Sequence, residues 1–154
     1  MDIRTLLQSL LDHDVKFLVI GAWALPAHGY ERMTNDVDIF FEPTRANAQR
    51  VVDALKAVGY DGIEELPMET ILTKKVLMRE YALQADTHPF VKGMSFRDAW
   101  NGRVKTEIKG LKVFVPSLDS LIAMKKAAGR ARDREDLRVL EKVREKTSKR
   151  RKKA

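Results

Sequence analysis

The chain of 154 residues has no cysteine, which excludes a disulfide framework, a thiolate nucleophile and a thiolate metal site. No apolar run reaches the roughly 18 residues that read as a membrane span, and Met1 to Leu11 carries Asp2 and Arg4 in place of a signal-peptide core. A glycine-lysine phosphate loop is also missing, which points away from the common P-loop nucleotide enzymes. The expectation is a soluble cytoplasmic protein with no membrane partner. Any catalysis in it must rest on carboxylates, bases or hard metal ions.

The 44% hydrophobic fraction is enough for one folded domain with its own core, and the length is short for two. Residues 1–145 read as a single domain and 146–154 as a basic, flexible tail. The net charge of +7 is unevenly placed: residues 130–154 hold 12 Lys plus Arg against 5 Asp plus Glu, while the preceding residues balance. Such an end attracts phosphates through the nonspecific electrostatic term, and it equally suits a solvated tail. No aromatic interleaves TSKRRKKA, so a base-stacking platform is unsupported there.

Chemical information concentrates in residues 17–41, FLVIGAWALPAHGYERMTNDVDIFF. An apolar strand-like run ends at Gly21, where a missing side chain permits close approach to a ligand. A short helix over Trp23 to His28 follows, then Tyr30 and Arg32, then turn residues Thr34 and Asn35. Asp36 and Asp38 open the next strand. Acids two apart on an extended backbone point to one side, and Asp38, between Val37 and Ile39, sits where an uncompensated carboxylate is costly.

Around this stretch the periodicity predicts a helix over residues 2–11, a strand near 16–20 and a helix after Thr44 that buries Ala48, Val51, Val52, Leu55 and Val58 up to Gly59. The alternation of strands and helices argues for an α/β layer arrangement. Residues 70–87 read as strand segments parted by a turn at Arg79 and Glu80, the last presenting Asp86 near the Asp36/Asp38 edge. Residues 103–115 read as a hairpin added to that sheet. Ser117 caps a helix that Gly129 ends, and a second helix follows with Leu137, Leu140 and Val143 inward. Arg130, Asp133 and Asp136, spaced by three, read as a surface ion-pair ladder, with Lys125 the readiest phosphate contact.

Three carboxylates facing one cleft suit Mg2+ or Mn2+, which take oxygen ligands and share substrate phosphates. The pattern Gly21, short helix, His28-Gly29, Arg32, Thr34 and Asp36-x-Asp38 resembles the minimal nucleotidyltransferase family of the DNA polymerase beta superfamily. The segment VPSLDSLIAMKKAAGRARDREDLRVL is similar to the C-terminal helices of its small bacterial branch, which is related to the toxin component of abortive-infection toxin–antitoxin pairs. The resemblance implies a mixed sheet packed against helices, with C-terminal helices. It implies Asp36 and Asp38 as the metal pair and Asp86 as the third carboxylate, which helps activate the attacking hydroxyl. It also implies nucleotide contacts from Gly21, Ala22, Arg32, Lys125 and Arg130, with Ala22 standing where the family usually has glycine or serine. The activity implied is transfer of a nucleoside monophosphate from an NTP to a hydroxyl, on RNA or a tRNA end, on a small molecule or on a protein. Two alternatives stand beside it: a weakly catalytic or non-catalytic nucleotide- or RNA-binding module with a protein partner, as in a toxin–antitoxin pair, and a plain RNA-binding protein.

Overall fold

The computed structural model describes residues 2–32, 34–79 and 81–153, with side chains to residue 150. Helix α1 (Ile3–Asp12) starts at Asp2, whose side chain accepts a hydrogen bond from the Thr5 amide at 2.8 Å. It buries Ile3, Leu6, Leu7 and Leu10, the 3.6-residue stripe of a helix lying on a core. Strand β1 (Phe17–Ile20) is buried throughout. The expected helix beyond it is two 3-10 turns, Gly21–Ala24 and Pro26–His28. Pro26 lacks an amide hydrogen, so one continuous helix is interrupted there.

Strand β2 (Asp36–Phe41) leads to α2 (Arg45–Ala57), capped by the Thr44 hydroxyl, which accepts from the Asn47 amide. Buried Asn47 then fixes α2 to the sheet: its Oδ1 accepts from Lys16 N at 2.8 Å, and its Nδ2 donates to the carbonyls of Lys16 and Glu42. After α2 come α3 (Met68–Thr73), β3 (Val76–Met78), β4 (Gln84–His88) and α4 (Phe96–Asn101). The chain ends with β5 (Val104–Ile108), β6 (Leu111–Val115), α5 (Leu118–Ala128) and α6 (Ala131–Lys153).

The main sheet has the order β1-β2-β4-β3. β2 runs antiparallel to β1 and parallel to β4, and β3 is antiparallel to β4. The fold is therefore mixed α/β, with helices packed on a mixed sheet and α5 and α6 closing the chain. Among the described residues, no helix is long and apolar enough to cross a membrane.

Two expectations need correction. Residues 70–73 belong to α3, not to a strand; the β-branched run there follows Pro67 and buries only Ile71, so packing on α2 overrides strand propensity. The β5–β6 hairpin forms its own two-stranded sheet and lies beside β1 without extending its ladder. Glu80, assigned to the turn before β4, lies outside the described residues.

Candidate active site

Parallel pairing of β2 with β4 sets Asp36 opposite Gln84, Asp38 opposite Asp86 and Phe40 opposite His88. Because side chains alternate along a strand, Asp36, Asp38, Asp86 and His88 share one face. The intervening Val37, Ile39, Ala85 and Thr87 are buried on the other. Apolar residues thus fix the register, and the register brings together acids that are far apart in sequence.

One oxygen each of Asp38 and Asp86 and a ring nitrogen of His88 lie within 4.8 Å of one another. His88 Nε2 donates to Asp38 Oδ1 at 2.8 Å. Burial pushes the Asp38 carboxyl up, but the His88 bond and the charges of His88, Lys75 and Lys125 outweigh it and hold the group below the usual carboxylate value. Asp86 goes the other way: burial and the nearby Asp38 charge raise it despite Arg79, Lys75 and His88. Paired acids with opposed shifts are what a shared cation would relieve.

Arg79 sits over the remaining carboxylate oxygens. It donates to Asp36 Oδ2 at 3.1 Å and to Asp86 Oδ2 at 3.0 Å. Asp86 Oδ1, in a residue only 2% exposed, has no hydrogen-bond partner. An orphaned buried oxygen is costly, and its residue belongs to the Asp38, Asp86 and His88 cluster. This donor set, two carboxylates and an imidazole, fits a divalent cation.

Gly21 shapes the site from β1. Its φ of +68° favours glycine, and a Cβ there would meet Asp38 Oδ2 and come within 3.1 Å of Asp38 Cγ. The missing side chain thus makes room for Asp38 itself, a closer cause than approach to a ligand. Ala22 borders the same cleft, but its side chain belongs to the core cluster.

The cleft has a volume of about 560 Å3. Its lining also includes members of a buried polar network at α5 and α6. Lys125, 9% exposed, donates to Asp136 at 3.0 Å and Asp133 at 3.4 Å. Arg130 Nε pairs with Asp133 at 2.6 Å, and Arg32 pairs with Asp136 at 3.2 Å. Asp133 and Asp136 are fully buried, which replaces the expected surface ladder with an interior one. Burial raises the Asp133 carboxyl, and the Arg130 bond with the Lys125 charge more than offsets it, leaving it low. Arg32, Lys125 and Arg130 therefore reach the cleft already paired.

Sequence reasoning missed His88, Arg79 and a set of cations, Lys74, Lys75, Lys92 and Arg132, that line the cleft without an ion pair among the described residues. His88 was legible only as the residue two past Asp86 on the same strand face. Lys74 and Lys75 were hidden by the reading of their segment as a strand.

No curated protein and no solved structure matches the chain. Residues 1–148 match the model of a family described as "Nucleotidyltransferase of unknown function" (DUF6036). With nearly its whole length matched, and with paired acids and basic side chains lining one cleft, the chain belongs to this nucleotidyltransferase family.

Proposed function

We propose that the protein transfers a nucleoside monophosphate from an NTP to a hydroxyl acceptor and releases pyrophosphate. The observation that carries this reading is Asp38 beside Asp86 on adjacent parallel strands, with Asp86 Oδ1 buried and without a hydrogen-bond partner. Asp38, Asp86 and His88 would hold Mg2+ or Mn2+, with Asp36 joining once Arg79 releases it. An ion bound there supplies charge neutralisation at the reacting phosphoryl group.

The chain's own residues do the rest. Lys74, Lys75, Lys92 and Arg132 offer charge to the triphosphate. Gly21, Ala22, Arg32, Lys125 and Arg130 shape and orient the wall it lies against, and preorganised positive groups of this kind stabilise the charge that develops on the leaving pyrophosphate. Asp86 takes the proton of the attacking hydroxyl. A bond forms from the acceptor oxygen to the α-phosphorus, and the bond from that phosphorus to the bridging oxygen breaks.

The basic end of α6 favours an RNA acceptor such as a tRNA end. Incubation with α-labelled NTPs, Mn2+ or Mg2+ and candidate RNAs tests this. Label should appear in the acceptor and fall by roughly a thousandfold in Asp38→Ala; no transfer to RNA, protein or small-molecule hydroxyls refutes it.

A second reading draws on the pairing of Arg32, Lys125 and Arg130 with Asp133 and Asp136. Cations so committed suit a non-catalytic nucleotide- or RNA-binding module with a protein partner, as in a toxin–antitoxin pair. A stable partner complex without Mn-NTP binding supports it.

A further inference from the structure

We propose that Phe90 is the stacking surface for the base of the incoming nucleotide. The inference rests on the transferase reading and adds the part of the substrate that metal and phosphate contacts leave unassigned.

Phe90 is 63% exposed, more than Leu66 or Leu77, the other large exposed apolar residues among those described. A single exposed apolar side chain is ordinary on a protein surface. Three observations set this one apart. It lines the same cleft as Asp38, Asp86 and His88, and it is the one Phe, Tyr or Trp among the described lining residues. It lies two residues beyond the end of β4 at His88, so the ring sits close in sequence to the strand that carries Asp86.

Its loop is also held firmly. Val91 and Met94 form an isolated antiparallel bridge, and the Ser120 hydroxyl of α5 lies 3.9 Å from Met94 Sδ. Gly93, at φ +85°, packs so closely on α5 that a Cβ would come within 2.8 Å of the Ala123 carbonyl oxygen and 2.7 Å of Ala127 Cβ. An exposed ring on a clamped turn is presented at low entropic cost.

The cleft lining also includes the apolar Val91, Leu121, Met124 and Ala128, with Lys92 and Lys125 adjacent to them in sequence. A nucleotide whose phosphates meet the cations therefore finds an aromatic face and apolar side chains in the same cleft for its flat, weakly polar base. No Asn, Gln or Ser lines the cleft among the described residues, and its neutral hydroxyls are those of Thr34 and Thr73, so the Phe90 ring itself offers a face and not a hydrogen-bond code. Stacking of this kind tolerates all bases, because each has a π-face. ATP, GTP, CTP and UTP should bind within about tenfold of one another, purines ahead.

The test compares Mn-ATP with Mn-tripolyphosphate by calorimetry on wild type, Phe90→Ala and Phe90→Trp. The exposure of Phe90 lets both variants keep the core, which circular dichroism and Tm check. Phe90→Ala should weaken ATP by about 5- to 100-fold and leave tripolyphosphate unchanged, while Phe90→Trp keeps ATP binding. Equal loss for both ligands, or unchanged ATP affinity, overturns the proposal; so does a loss confined to a single-stranded RNA oligomer, which would assign the ring to the acceptor. Wild type binding ATP no better than tripolyphosphate removes the base subsite and leaves the transferase reading standing. Wild type binding neither removes both.

Discussion

Asp86 holds a conflict that the rest of the site must resolve. Its carboxyl is raised by burial and by Asp38, so the native state binds its proton more readily than the unfolded chain. Stability from this group therefore falls as pH rises through the interval above 3.8. Asp86→Asn should accordingly raise Tm at neutral pH without metal while abolishing Mn2+ binding, the trade between function and stability expected at such sites; a lower Tm argues against the conflict. Asp133 and Asp38 behave oppositely. Their folded values are depressed, so the stability they confer is present above 3.8 and is lost as pH falls through their lower native values. A Tm profile against pH should rise modestly on mild acidification and then drop steeply below about 4. Arg79 competes for the same oxygens as a cation, so Arg79→Met should tighten Mn2+ binding several-fold, measured by calorimetry. Weaker binding in that variant would mean that Arg79 organises the acids and does not oppose metal.

The α5–α6 pair shows how an element can be read correctly and its energetics misjudged. Ser117 as cap, Gly129 as stop and the inward Leu140 all followed from local chemistry. What periodicity could not show was that Asp133 and Asp136, apparently on an outward margin, are covered by Arg32 and Lys125 from other parts of the chain. Breaking a buried pair leaves an uncompensated charge, so Lys125→Met should cost about 3 kcal/mol, or about 6–12 °C in Tm. A second change, Asp136→Asn, should recover part of it. A shift below 1 °C would return the network to the surface class. β4 gives the converse lesson: alternation of Tyr81, Leu83 and Ala85 with Ala82, Gln84 and Asp86 set Asp86 near the acid edge, but register with β2 is a long-range property, and His88 gained its meaning only from that pairing. α3 was misread because six residues with one buried side chain carry too little periodicity to outweigh β-branched composition.

For the whole molecule, charge and topology point the same way. A mixed sheet lays two acids side by side in a cleft whose lining also carries Lys74, Lys75, Lys92 and Arg132, and the excess positive charge lies in residues 130–154. RNA binding through that end should weaken steeply as salt rises; removal of residues 149–154 should weaken it alike for all sequences and leave Mn-ATP binding intact. The core strands, the capped helices and the Asp36-x-Asp38 spacing were legible because each is written in local patterning. The cleft cations and the Arg79 clamp were not, since they join residues that only tertiary packing brings together. If Asp38 and Asp86 form a divalent-cation site, a Mn2+ titration followed by electron paramagnetic resonance will register it. Saturable binding in wild type that is lost in both Asp38→Ala and Asp86→Asn is the result predicted; binding of equal strength in wild type and both variants would contradict it.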